Sequence, residues 1–137
     1  MIFVNLPVAN AAAAATFYEA IGFTKNEMFS NDRASAMVWS DTINVMLLER
    51  DFYATFTTKP IIDAKTTSGV LLALNFDARE EVDAITQAAL AAGGRELHDP
   101  EDEGFMYSRA FEDLDGHGWG PFMMDMTAAE AQFSDEG

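Results

Sequence analysis

Hydrophobic residues change period several times along the chain, and each change marks an element. Residues 2–8 (IFVNLPV) are apolar and β-prone, with Pro7 suited to a strand end or sheet edge. From Ala11 the period lengthens. Ala14, Phe17, Tyr18 and Ile21 stand at i, i+3, i+4 and i+7, which is one face of a helix. Asn10 is placed to cap its start and Gly22 to end it. The alanines at 11–15 offer a smooth packing surface. Three β-like stretches follow, about 25–30, 34–40 and 43–49, with turn residues Asn31-Asp32 and Asp41-Thr42 between them.

Residues 50–68 show no sustained period and read as a connector. Phe52, Tyr53 and Phe56 predict that it lies against the body of the protein or a partner subunit. The pattern then restarts. Residues 69–76 (GVLLALNF) predict a strand, and Asp77 with Glu80 three residues on resembles a capping box. Val82, Ile85, Ala88 and Ala89 mark a helical face that Gly93-Gly94 ends. Three more β-like stretches, about 95–99, 105–112 and 119–126, precede an Ala-rich acidic tail, 127–137, expected to form a short helix.

The order is therefore βαβββ, connector, βαβββ: an internal repeat with modules at about 1–49 and 69–126 joined by residues 50–68. The fold class expected is α+β, one domain of 137 residues in which two βαβββ modules form an open cup. One helix covers one face of each sheet. The other face needs different cover or must enclose a cavity.

Composition narrows the function. The chain has no cysteine, which excludes disulfides, thiol nucleophiles and Cys-ligated metals. Eight basic residues stand against 23 acidic ones, a formal charge of −15, so a phosphate backbone is repelled and nucleic acid is not an expected partner. The same charge favours a cationic ligand. The uncharged stretch 1–18 contains Asn5, Pro7, Asn10 and Thr16 and has no basic flank, so it predicts neither a membrane span nor a signal peptide. A cytoplasmic location is expected.

Several segments resemble the vicinal oxygen chelate superfamily of glyoxalase I, bleomycin resistance proteins and extradiol (dihydroxybiphenyl-type) dioxygenases, in particular its small bacterial glyoxalase-like branch. They are VNLPV (Val4–Val8), FYEAIGF (Phe17–Phe23), VMLLE (Val45–Glu49), the restart at Gly69 and FEDLDGHGW (Phe111–Trp119). The resemblance spans about 5–126. It implies two βαβββ modules, a homodimer, and a ligand held in the cup. It also implies a divalent metal held by side chains of the first and fourth strands of each module. Carried over residue by residue, those positions fall on Phe3 (with Asn5 one pleat on), Met46, Leu71 and Gly120. None of them is a ligand for a hard or borderline metal, and one-residue shifts bring only other apolar residues. The expectation is the family scaffold without its metal site and with no cofactor.

The remaining chemistry is sparse. His117, in Asp115-Gly116-His117-Gly118, reads as a turn residue bonded to nearby backbone, with a place at the cup rim as the other reading. His98 reads as a surface residue, and the two histidines have no metal-ligand spacing. The acids between Asp99 and Asp115 predict a solvated loop face. Arg109 shares a strand face with Tyr107 and Phe111, where it either pairs with a nearby acid or binds a ligand carboxylate. No nucleophile elbow or phosphate loop is present.

The candidate ligand-binding residues are Phe3, Asn5, Trp39, Met46, Leu71, Arg109, Trp119, Gly120, Phe122 and Met124. A mostly apolar lining of this kind predicts a metal-free protein that sequesters an aromatic or cationic small molecule, as bleomycin resistance proteins do. The alternatives are a divalent-metal-dependent lyase or extradiol-type dioxygenase, and a structural or regulatory dimer.

Overall fold

The computed structural model describes residues 1–127 and 130 of the chain. Its elements run β1 (Ile2–Val8), α1 (Ala11–Ala20), β2 (Thr24–Lys25), β3 (Ala34–Val38), β4 (Ile43–Glu49), α2 (Arg50–Tyr53), β5 (Leu71–Phe76), α3 (Arg79–Ala91), β6 (Arg95–Glu96), β7 (Glu101–Asp102), β8 (Met106–Ser108), β9 (Phe111–Glu112) and β10 (Gly118–Met124). Short 3₁₀ turns follow β2 at Glu27–Phe29 and α2 at Ala54–Phe56. The tail helix expected over 127–137 lies outside the described residues save for 127 and 130.

The repeat is visible in the strand order. The first sheet runs β1-β4-β3-β2. In it β1 is parallel to β4, because the α1 crossover returns the chain in the same direction, and the remaining pairs are antiparallel. In the second sheet β5 is parallel to β10, β10 pairs antiparallel with β8 and β9, and β7 and β6 lie outermost. There β8 and β9 are one strand interrupted at Arg109-Ala110, so the two sheets have equivalent orders. The result is a mixed α+β fold whose curled sheets form a half-barrel, with a helix on one face of each. Among the described residues no helix is long and apolar enough to cross a membrane.

Both helices end alike. Gly22 (φ 113°) and Gly93 (φ 103°) take the left-handed conformation that stops each helix. Their starts differ. Asn10 accepts from the Ala13 N–H at 2.9 Å, and the Glu49 carboxylate accepts from the Ala11 N–H, so β4 helps to cap α1. The capping box expected at Asp77 and Glu80 does not form, since α3 starts after Ala78 with no side-chain cap. Two acids in its first turn, Glu80 and Glu81, favour the helix dipole instead.

The helix faces of both modules share one core. Phe17 packs on Phe111, Tyr18 and Phe23 on Trp119, and Trp39 on Phe76, each pair joining the first module to the second. A buried polar clasp runs through this core. The Tyr18 hydroxyl donates to Asp113 Oδ2 at 2.5 Å and accepts from Trp119 Nε1 at 3.0 Å. Asp113 Oδ1 accepts the backbone N–H groups of Asp115 and His117, both at 2.9 Å. His117 Nε2 donates to the Pro7 carbonyl at 2.7 Å, and Asp115 accepts from the Ala9 N–H at 2.8 Å. Among the described residues no buried side-chain polar atom lacks a partner.

Burial raises the Asp113 carboxyl above its ordinary range, against the lowering effect of its hydrogen bonds. Burial and the Asp113 charge hold the Tyr18 phenol well above its ordinary value. Tyr18→Phe leaves the Asp113 carboxylate and the Trp119 indole each short of a partner, and is expected to lower unfolding free energy by about 1–3 kcal/mol at pH 7. Because the folded-state phenol is raised, wild type holds this advantage below the unfolded value of about 10 and loses it as pH rises through the folded value. Urea titrations of both proteins across that range check both the size and the convergence.

Candidate functional site

Strand alternation divides each sheet between a helix face and an outer face. On β1, Val4, Leu6 and Val8 face the helix side, so Phe3, Asn5 and Pro7 face outward. On β4, Val45 and Leu47 are in the core, which turns Asn44, Met46 and Leu48 outward. The parallel register sets Phe3 beside Asn44 and Asn5 beside Met46. These outward side chains floor two hollows that share Asn5 and Met46. One, of about 450 Å³, is bounded by Phe3, Phe29, Ala36 and Asn44. The other, of about 470 Å³, is bounded by Leu48, Phe52, Tyr53, Phe56 and Thr57. Together they form one trough along the outer face of the first sheet.

The wall of the trough comes from the connector. Its first residues fold into α2 and the following turn, and Phe52 stacks edge-on against Phe56 with ring centroids 5.1 Å apart. Arg50 pins the rest of the connector through the carbonyls of Ile61 and Ile62 at 3.3 and 3.0 Å. Farther on, the backbone at Ala64-Lys65 runs so close to Gly116 that a Cβ there would lie 2.7 Å from it.

The expected site residues divide three ways. Phe3, Asn5 and Met46 meet in the trough. Leu71, 74% exposed, lies on the second sheet and borders a separate hollow with Leu97, Gly118 and the 64–70 segment. Gly120, Phe122 and Met124 share its outer face, since Trp119 and Pro121 point inward, but they do not line the trough. Trp39, Trp119 and Arg109 are on the helix side. Trp119 is 3% exposed within the clasp, and Trp39 packs between Phe23 and Phe76. Arg109 keeps Tyr107 and Phe111 as face neighbours, but its guanidinium pairs with Glu96 at 2.6 Å and Asp83 at 3.1 Å. Those acids raise its pKa against the opposing effect of burial.

Lys59 and His117 border a further hollow of about 410 Å³ that shares Asn5, Tyr53 and Thr57 with the trough. His117 is buried against Pro7 of the other module, a longer reach than a local turn contact. His98 is exposed beside Asp99 and Glu101. In the acidic loop region, the Arg79 guanidinium holds the Asp102 carboxyl down at about 2.

Sequence reasoning missed Phe29 and Asn44 as lining residues. Asn44 was legible as the residue two before Met46 on the same strand face. The sequence places Phe52, Tyr53 and Phe56 against the protein body, and the structure makes them the wall of the trough.

The family model described as Glyoxalase/Bleomycin resistance protein/Dioxygenase superfamily matches residues 2–120. The chain belongs to this superfamily. Similar solved structures include the hypothetical protein SA1046 from S. aureus, at 25% identity and TM-score 0.78, covering 90% of this chain and 92% of that one. Protein ATC0852 from Agrobacterium tumefaciens is also 25% identical, at TM-score 0.71 with coverage of 89% and 94%. A glyoxalase/bleomycin resistance protein/dioxygenase family enzyme from Burkholderia phytofirmans PsJN shares the fold at 19% identity and TM-score 0.73, with coverage of 89% and 96%. No curated protein matches the chain.

The superfamily's metal positions carry a poor donor set here. Phe3, Leu71 and Gly120 have no side-chain donor, and Met46 offers only a soft thioether. Among the described residues no three His, Asp or Glu side chains gather as a metal-binding group. The residues do not fit a divalent cation.

This division of faces predicts opposite stability effects. Trp119→Ala should cost about 3–5 kcal/mol, as for a buried aromatic. Phe3→Ser and Phe56→Ser, at side chains 56% and 68% exposed, should stay within about 0.5 kcal/mol of wild type. Thermal and urea unfolding of the three variants checks it.

Proposed function

We propose that this superfamily member binds a small aromatic molecule in the first-module trough, without a metal cofactor and without turning it over. The observation that carries this reading is the lining itself. Phe3, Met46, Phe52, Tyr53 and Phe56 surround Asn5, and no Asp, Glu, Lys, Arg or His side chain lines either hollow. Such a surface offers contact area to a flat ring and polar handles at Asn5 and Asn44. Its hydroxyls, Tyr53 and Thr57, have no Asp, Glu or His lining either hollow to activate them. Of the two ligand chemistries that composition suggested, this trough favours the aromatic one, since a cation would find no carboxylate in it.

The reading includes a homodimer in the cytoplasm. Leu71 is 74% exposed beside the exposed Val70, and apolar surface of this kind favours burial by a second copy. The strong negative charge disfavours a nucleic-acid partner.

Full-length protein dialysed against EDTA should contain far less than one transition metal per chain by elemental analysis. It should still bind a neutral aromatic such as 2-naphthol by calorimetry, with Met46→Asp weakening that binding by at least about tenfold. A stoichiometric metal, or turnover of a hemithioacetal or catechol that EDTA abolishes, contradicts the proposal and favours the lyase or dioxygenase reading.

A further inference from the structure

We infer that the trough selects neutral, planar ligands that carry a lactam-type edge, a carbonyl beside an N–H. This rests on the binding reading above and specifies its substrate class.

The first support is the sorting of the asparagines. Asn10, Asn26 and Asn31 each spend a side-chain oxygen on backbone N–H groups, of Ala13, of Met28, and of Arg33 and Ala34. That is the ordinary use of asparagine at caps and turns. Asn5, Asn44 and Asn75 are different. They sit inside strands β1, β4 and β5 with no side-chain hydrogen bond to another described residue, and Asn5 and Asn44 line the same hollow.

The second support is their placement. Asn44 is registered opposite Phe3, and Asn5 opposite Met46, so the two carboxamides are diagonal neighbours on one sheet face. With strands about 4.8 Å apart and a two-residue step of about 6.6 Å, diagonal positions lie roughly 8 Å apart, close enough for both side chains to reach one bicyclic ligand. Each carboxamide offers a donor and an acceptor. A pair of them can therefore satisfy a carbonyl and an adjacent N–H together, which a ring with only an acceptor cannot exploit.

The third support is charge. The walls hold no counter-charge for an anion, and to a cation they return only the attraction of aromatic ring faces in place of its hydration. The chain's acidic surplus lies elsewhere. Asp83 and Glu96 are held by Arg109, Glu112 pairs with Arg95, and Asp102 pairs with Arg79.

The test is calorimetry on full-length, EDTA-treated protein with matched bicyclic probes: 2-quinolinone, quinoline, 2-naphthoate and N-methylquinolinium. 2-Quinolinone should bind about tenfold tighter than quinoline, with both ions weaker than quinoline. Asn5→Leu and Asn44→Leu should each remove most of the quinolinone preference, read as the ratio of the two affinities. Equal binding of quinolinone and quinoline, or binding of either ion as tight as quinolinone, overturns the edge selection yet leaves aromatic binding in place. Failure of every probe to bind overturns the aromatic-binding reading and this inference with it. The wild-type series decides the matter even if a leucine variant is unstable.

Discussion

The hydrogen bond from Tyr18 to Asp113 is the contact on which the two-module arrangement depends. It joins residues 95 positions apart in the chain and lies at the middle of the shared core. Asp113 organises the β9–β10 turn through two backbone N–H groups, and that turn delivers His117 to Pro7 and Asp115 to Ala9. Burying a carboxylate is unfavourable unless its lone pairs are occupied, and here three donors occupy them. The clasp therefore specifies one relative placement of two modules that apolar packing alone would specify less sharply.

That placement explains the distribution of chemistry. Four of the groups that the superfamily motifs supply are consumed in the clasp. Tyr18 comes from FYEAIGF and Asp113, His117 and Trp119 from FEDLDGHGW. The outer face of the first sheet is left with aromatic, thioether and amide side chains. The core and the proposed binding surface thus lie on opposite faces of the same strands, and alternation keeps them separate. Met37 and Met46 illustrate the division: one is fully buried in the core, the other floors the trough.

This also accounts for what was legible in the sequence. Strand and helix periods reveal which residues face a core, so the βαβββ repeat and the ends of α1 and α3 were readable. The period-2 argument likewise set Phe3 and Asn5 on one face, and Tyr107, Arg109 and Phe111 on another. Alternation does not say which face is which. Trp119 and Gly120 are adjacent, and one residue of parity separates a core anchor from an open surface. Arg109 could not be assigned without the positions of Asp83 and Glu96, 26 and 13 residues away. The connector was the hardest part. Phe52, Tyr53 and Phe56 carry no strand or sustained helix pattern, and their role emerges only when α2 folds against β1 and β4.

The most direct measurement is a methyl NMR titration of the EDTA-treated protein, with its eight methionine methyls labelled and 2-naphthol added. The account predicts a saturable shift of the Met46 methyl with Met37 unmoved, because a ring in the trough lies against one and is shielded from the other by the sheet. No shift at Met46 until a divalent metal is supplied, or a shift at Met37 as large as that at Met46, would contradict it.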